Sequence, residues 1–332
     1  MRYVFGPVPS RRLGQSLGID PVPLKTCNWN CVYCQLGRTR PVVNVRAEYV
    51  PAEAVVDEVG RVLRRLDPTS CDWVTFVGSG EPLLHIRVGW LIRSVKDLTS
   101  KPVAVITNGA LLYLDEVREE VAAADAVLPS IDAGNPDLYR RLNRPHPEAS
   151  FDRLVEGLVS FRAIFKGELW AEVMLVNGMN DGAKELREIA AVLRLVRPDQ
   201  IHLNLPSRPP AETWVRSQGE KGVVRAITIM EGVAPVWTAH PPAGAFDLSG
   251  SEEVGDAVVS IITRHPMRQS EIERSLARFT PGEVQATLQQ LAAEGRAKVV
   301  RRNGVDYWTV AEAYFPSGNG ATDEDEGDHA VL

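Results

Sequence analysis

No stretch of about 18 consecutive apolar residues occurs in this 332-residue chain, so a membrane-spanning helix is not expected. The start, Met1-Arg2-Tyr3-Val4-Phe5-Gly6-Pro7, has neither the long apolar run nor the cleavage site of a secretory leader. A cytoplasmic protein is the expectation. Charge of one sign is not in large excess. The 37 Lys and Arg face 43 Asp and Glu, a net of −6, so no global basic field draws in nucleic acid. Cysteine is scarce, with four residues, and three of them crowd into eight positions. In a reducing compartment such crowding reads as metal binding, not as a disulfide framework.

What is present describes an ordinary globular protein, 44% hydrophobic and 24% charged, long enough for one large domain and one small one. Apolar residues at helical spacing (Val55, Val59, Val62, Leu66) alternate with short buried-strand runs such as Trp73-Val74-Thr75-Phe76-Val77. The alternation continues to Val236-Trp237-Thr238. It predicts about six βα units with right-handed crossovers, an α/β partial barrel of (βα)6 form, over residues 1–240. Residues 1–50 read as irregular apart from a short strand at Leu17-Gly18-Ile19. In this architecture the loops after the strands gather at one mouth. Gly78-Ser79-Gly80-Glu81-Pro82, Thr107-Asn108-Gly109, Ser130-Ile131-Asp132, Asn177-Gly178 and Asn204 all fall there.

His240-Pro241-Pro242-Ala243-Gly244 reads as a linker. Beyond it, residues 251–312 predict three helices and a hairpin turning at Asn303-Gly304, a winged helix-turn-helix. Thr280-Pro281-Gly282-Glu283 is the capped start of the third helix. Residues 316–332, Gly-rich and acidic, predict a disordered tail.

The chemistry centres on Cys27-x3-Cys31-x2-Cys34. Three thiolates are soft ligands for zinc or an iron–sulfur cluster. They are one short of a closed structural zinc site and leave a position open. Cys71 precedes a strand, at the far end from the mouth, and is expected to be structural. This spacing resembles the motif of the radical S-adenosylmethionine (radical SAM) superfamily. Gly78-Ser79-Gly80-Glu81-Pro82 is similar to that family's Gly-Gly-Glu-Pro motif, with Ser79 in place of the middle glycine.

The resemblance implies a [4Fe–4S] cluster on Cys27, Cys31 and Cys34, with S-adenosylmethionine chelating the fourth iron. One electron, from a donor such as flavodoxin or ferredoxin, would cleave the sulfonium to a 5′-deoxyadenosyl radical that abstracts hydrogen from the substrate. It implies cofactor contacts from Gly78, Ser79, Gly80 and Glu81, the last toward the ammonium. Tyr33 would lie beside the adenine, and Asn108, Ser130 and Asp132 near the ribose or carboxylate. Gly6-Pro7-Val8-Pro9-Ser10-Arg11-Arg12-Leu13-Gly14, Leu142-Asn143-Arg144-Pro145-His146 and Arg208-Pro209-Pro210 resemble a prokaryotic group within that superfamily, distantly related to the wyosine-forming tRNA enzymes. That leaves the substrate open among RNA, a peptide and a small metabolite.

Arg11, Arg12, Lys25, Arg38, Arg144, His146 and Arg208 are flanking cations able to meet a phosphate or carboxylate. His202, inside an apolar strand, reads as a core histidine. The third C-terminal helix offers Glu283, Gln285, Thr287, Gln289 and Glu294 but no cation before Arg296. Groove-reading helices carry cations to the phosphates, so substrate or partner docking is expected instead of sequence-specific DNA binding. Only the wing, with Lys298, Arg301 and Arg302, is basic. A chain ending near Pro242 is expected to keep its cluster. The competing class is an iron–sulfur redox sensor on a winged-helix transcription regulator, which leaves Gly78 to Pro82 unexplained.

Overall fold

The computed structural model describes residues 3–10, 12–238, 254–276 and 279–316. Arg11, the linker at 240–244 and nearly all of the acidic tail lie outside them. Strands β1 (Val4–Ser10) and β2 (Gly14–Ile19) form an antiparallel hairpin. Then follow α1 (Ala52–Leu63), β3 (Trp73–Phe76), α2 (Val88–Leu98), β4 (Val103–Thr107), α3 (Asp115–Val121) and β5 (Ala126–Pro129). Next come α4 (Pro136–Leu142), α5 (Phe151–Ile164), β6 (Glu168–Met174), α6 (Ala183–Val196), β7 (Gln200–Asn204), α7 (Glu220–Met230) and β8 (Val236–Thr238). The eight strands form one sheet in chain order, parallel from β2 to β8. Six helix-bearing crossovers therefore build the expected partial barrel.

The strands are buried on both faces, as parallel strands under helices must be. Val103, Val105, Val127, Leu169, Val173 and Ile201 join the core shared with the helices. Their neighbours Ala104, Ala126, Leu128 and Trp170 form a separate cluster inside the barrel. Leu13, from the tip of the β1–β2 hairpin, completes that cluster and plugs the lumen. Farther along the same strands the inward residues turn polar, at Glu172, His202 and Asn204. Apolar filling at the base and polar groups toward the mouth set where chemistry belongs.

Two elements depart from expectation. The segment forming β1 contains Gly6, Pro7 and Pro9 and was expected to be irregular. It is an antiparallel edge strand with a register shift between Phe5 and Val8, a position that tolerates proline. Helix α4 was not foreseen, although Asn135 caps it through Leu138 N and Pro136 starts it.

The C-terminal elements are α8 (Val254–Arg264), α9 (Gln269–Ser275), α10 (Pro281–Ala293), β9 (Ala297–Arg302) and β10 (Val305–Val310). Asn303 and Gly304 turn the β9–β10 hairpin with φ of 53° and 78°, as Asn-Gly favours. This unit has its own core of Val258, Ile261, Ile272, Val284, Leu288 and Leu291. It is nevertheless docked on the barrel. Arg264 bonds Asp20, Gln35 Nε2 donates to Arg264 O at 2.9 Å, and Arg38 N donates to Tyr314 O at 2.8 Å. Arg208 pairs with Glu271 at 2.8 Å. Three of these contacts reach the cysteine loop or the strand end beside it, so a chain ending near Pro242 would go without them.

Candidate active site

The cysteine loop lies between β2 and α1, with no regular element of its own, and is held from several sides. Val32 N donates to Leu142 O (3.0 Å), Asn30 N to Asn143 O (3.1 Å), and Glu212 N to Val32 O (3.0 Å). Arg38 and Arg144 both grip the carboxylate of Glu212, Arg38 in bidentate fashion at 2.8 and 2.9 Å. The planar fork makes such a pair directional as well as strong. Glu212 was not foreseen from the sequence. Nothing in its local pattern marks it, since its partners lie 68 and 174 positions away.

Each sulfur of the triad has donors aimed at it. Trp29 N (3.5 Å) and Asn108 Nδ2 (3.8 Å) approach Cys27 Sγ. Asn143 Nδ2 lies 3.8 Å from Cys31 Sγ, and Lys25 Nζ 3.2 Å from Cys34 Sγ. Burial pushes the Cys27 thiol up to about 12, and burial followed by the Cys34 charge pushes Cys31 well above its usual range. For Lys25, burial works against the ammonium, but the charges that Cys34 and Cys27 carry as thiolates outweigh it and raise the pKa. Free Cys27 and Cys31 thiols would stay protonated, and the donors beside them would face no charge. A thiolate-binding metal group resolves both points, because coordination deprotonates a thiol outright. The donor set thus fits an iron–sulfur cluster, whose sulfurs take such hydrogen bonds. Among the described residues, no three His, Cys, Asp or Glu side chains form a single-ion cage. Cys71 is buried in the barrel core, with its thiol donating to Trp73 O at 3.2 Å.

The strand-end residues meet beside the triad. Glu81 is 2% exposed. Its Oε1 accepts from Leu83 N (3.0 Å) and Thr107 Oγ1 (2.5 Å), and its Oε2 from Asn108 N (2.7 Å). The carboxylate thus ties the β3 loop to the end of β4. Burial raises Glu81 to about 7, against those three bonds. Expected to meet the ammonium directly, Glu81 also holds the mouth in shape.

The glycines were expected to permit approach by the cofactor, and here they answer first to the protein. A Cβ on Gly78 would lie 2.2 Å from Asp20 Cγ, and one on Gly80 2.0 Å from Thr26 O. Ser79 is bound to Asp20 through its N (3.0 Å) and Oγ (2.6 Å). A hydroxyl at this departure from the family pattern has a specific acceptor.

Asp132 accepts from Tyr33 Oη, from Asn143 Nδ2 (2.8 Å) and from Met174 N (2.8 Å). Burial raises it to about 6. Tyr33, Asp132, Asn143 and Cys31 are therefore one cluster, and Asn143 is its unforeseen member. Ser130, half-exposed, bridges to Glu172 across β5 and β6.

The flanking cations are mostly engaged. Arg12 reaches Glu172 and Asn204 Oδ1 inside the lumen, and Lys25, Arg38, Arg144 and Arg208 have the partners given above. His202 packs against Trp170 and is lowered to about 4 by burial and by Arg12.

Residues 22–193 match the family model described as the Radical SAM superfamily. The chain is 33% identical over 279 residues to a UPF0026 protein of Methanocaldococcus jannaschii, covering 83% of this chain and 86% of that one. It is 34% identical over 312 residues to a Brachyspira hyodysenteriae protein named GTPase Obg, covering 93% of this chain but only 45% of that longer one. No G-x-x-x-x-G-K-[ST] phosphate loop occurs here. Among solved structures, TYW1 with a lysine-pyruvate adduct bound superposes with a TM-score of 0.50 at 18% identity, covering 66% of this chain and 74% of that one. At that identity the likeness speaks for the barrel alone.

Proposed function

The chain belongs to the radical SAM superfamily, whose members use a [4Fe–4S] cluster and S-adenosylmethionine, and from that premise we propose an enzyme that cleaves S-adenosylmethionine reductively and takes hydrogen from a substrate at the barrel mouth. The observation that carries this reading is the set of donors around Cys27, Cys31 and Cys34, each sulfur facing at least one N–H group. When bound, the cluster and cofactor supply the one-electron cleavage that yields a hydrogen-abstracting 5′-deoxyadenosyl group.

The chain's own residues hold and shelter that chemistry. Cys27, Cys31 and Cys34 would ligate three irons. Gly78, Ser79, Gly80 and Glu81 would receive the cofactor's amino group, with the Glu81 charge complementing the ammonium. Asn108, Ser130 and the Tyr33–Asp132 pair would face the adenosine and carboxylate. The plug of Leu13, Trp170 and Leu128 closes the base of the lumen to water. Arg12 and Glu172 are polar groups placed toward the substrate side.

The C-terminal unit is read as a winged helix-turn-helix that serves docking, not sequence-specific DNA readout. Of the three wing cations, Arg302 is buried against Pro210 O and Pro316 O, and Lys298 donates to Ala311 O. Arg301, exposed but 3.8 Å from Asp306, adds only a weak phosphate footprint. No helix of the described residues is long and apolar enough to cross a membrane. The electron would come from an external donor such as flavodoxin or ferredoxin.

Anaerobic reconstitution tests the ligand set. Wild type and Cys71→Ala should each carry about one oxygen-sensitive [4Fe–4S] cluster per chain, and Cys27→Ala, Cys31→Ala and Cys34→Ala none. Loss of the cluster in Cys71→Ala, or its retention in a triad variant, would overturn the assignment.

A further inference from the structure

Among the contacts between the C-terminal unit and the barrel is a buried ion pair. Asp20 directly follows β2, is 0% exposed, and accepts from both Ser79 N and Ser79 Oγ. Its Oδ2 also accepts from Arg264 Nε at 2.9 Å. Arg264 is the last residue of α8 and is 5% exposed. Its guanidinium lies 4.5 Å from the Phe5 ring centroid, and its Nη1 donates to Ser260 O at 3.3 Å. The carbonyl of the same residue accepts from Gln35, the neighbour of Cys34. A second contact reinforces the first. Gly37 has φ +83°, and a Cβ there would lie 2.2 Å from Tyr314 O. Gly37 O in turn receives Lys25 Nζ at 2.8 Å, the ammonium that also reaches Cys34 Sγ.

A buried carboxylate needs a partner, and removing one leaves an uncompensated charge that must find water or a new contact. At Asp20 the nearest way to relieve that charge is movement of the loop it holds, the loop running from Gly78 to Glu81. We propose that the C-terminal unit is a wall of the cofactor site, with Arg264 acting as a positioning residue that fixes Ser79 and the Gly78–Glu81 loop through Asp20. This rests on the reading of that loop as the S-adenosylmethionine amino-group site. It assigns the C-terminal unit a role in cofactor binding, distinct from presenting a substrate.

The test uses the full chain with its cluster reconstituted and S-adenosylmethionine as the probe. Affinity is measured by equilibrium dialysis, and the electron paramagnetic resonance signal of the reduced cluster is recorded with and without the probe. Arg264→Met should keep its iron content, bind S-adenosylmethionine about tenfold more weakly, and lose most of the probe-induced spectral change. Arg264→Lys, which keeps a cation beside Asp20, should recover part of the affinity. Asp20→Asn combined with Arg264→Met should be no weaker than Asp20→Asn alone. Glu271→Gln, which loosens the same interface elsewhere, should bind as wild type does.

Unchanged affinity in Arg264→Met, or equal weakening in Glu271→Gln, would overturn the proposal. So would loss of the cluster from both Arg264→Met and Arg264→Lys, since that would make the contact one of folding. Glu81→Gln separates the two levels. If it too binds normally, the reading of the loop fails; if it binds weakly while Arg264→Met does not, only the role of Arg264 fails.

Discussion

At the scale of single residues, the candidate site holds buried groups whose charge states are set by burial working against their hydrogen-bond partners. Glu81 is the clearest case. Burial lifts its carboxyl to about 7 from an ordinary value near 4.5. With the folded pKa raised, its contribution to stability is full below the unfolded value and is lost as pH rises through about 7. An ammonium ligand has the opposite preference and favours the ionised form. S-adenosylmethionine affinity of the cluster-loaded protein should therefore rise between pH 6 and 8, and Glu81→Gln should flatten that profile. The variant should also weaken binding about tenfold, as the loss of a charge-assisted hydrogen bond of roughly 1.5–3 kcal/mol would. A profile as steep in Glu81→Gln as in wild type would place the titration elsewhere.

At the scale of elements, the sequence revealed what repeats and hid what is assembled across the fold. Helix α1 was legible in its spacing, because Val55 and Val59 share its buried face. The strands were legible as short apolar runs, and the cysteine spacing was plain. The β1 strand was obscured by its prolines. Glu212, Asn143 and Asp20 were missed because each acts only once distant segments meet, and no spacing records that. Glu212 tests how far the loop depends on such contacts. Its carboxylate joins the cysteine loop to the end of α4 through two arginines, and burial is outweighed by those contacts, so it is held below its usual range. Glu212→Gln should leave overall folding nearly intact, cost about 1–3 kcal/mol, and speed loss of the cluster to a chelator several-fold. A chelation rate equal to wild type would show that the loop is held without it.

At the scale of the whole molecule, the barrel and the C-terminal unit each bury their own core yet share the region around the triad. A chain ended after residue 238 would lose the C-terminal partners of Asp20, Gln35 and Arg38 together, leaving Asp20 only Ser79 and Arg38 only Glu212 among those described above. It should reconstitute with less cluster than the full chain and bind S-adenosylmethionine more weakly; equal cluster content and affinity in both would show that the units are independent. All of these dependencies serve the proposed reaction at this mouth, the reductive cleavage of S-adenosylmethionine. The most direct measurement is 5′-deoxyadenosine released after strong reductant and S-adenosylmethionine are added anaerobically to the reconstituted full chain. Wild type and Cys71→Ala should release it, and Cys27→Ala, Cys31→Ala and Cys34→Ala should not. An intact, reducible cluster that binds S-adenosylmethionine yet releases no 5′-deoxyadenosine would contradict the proposed reaction.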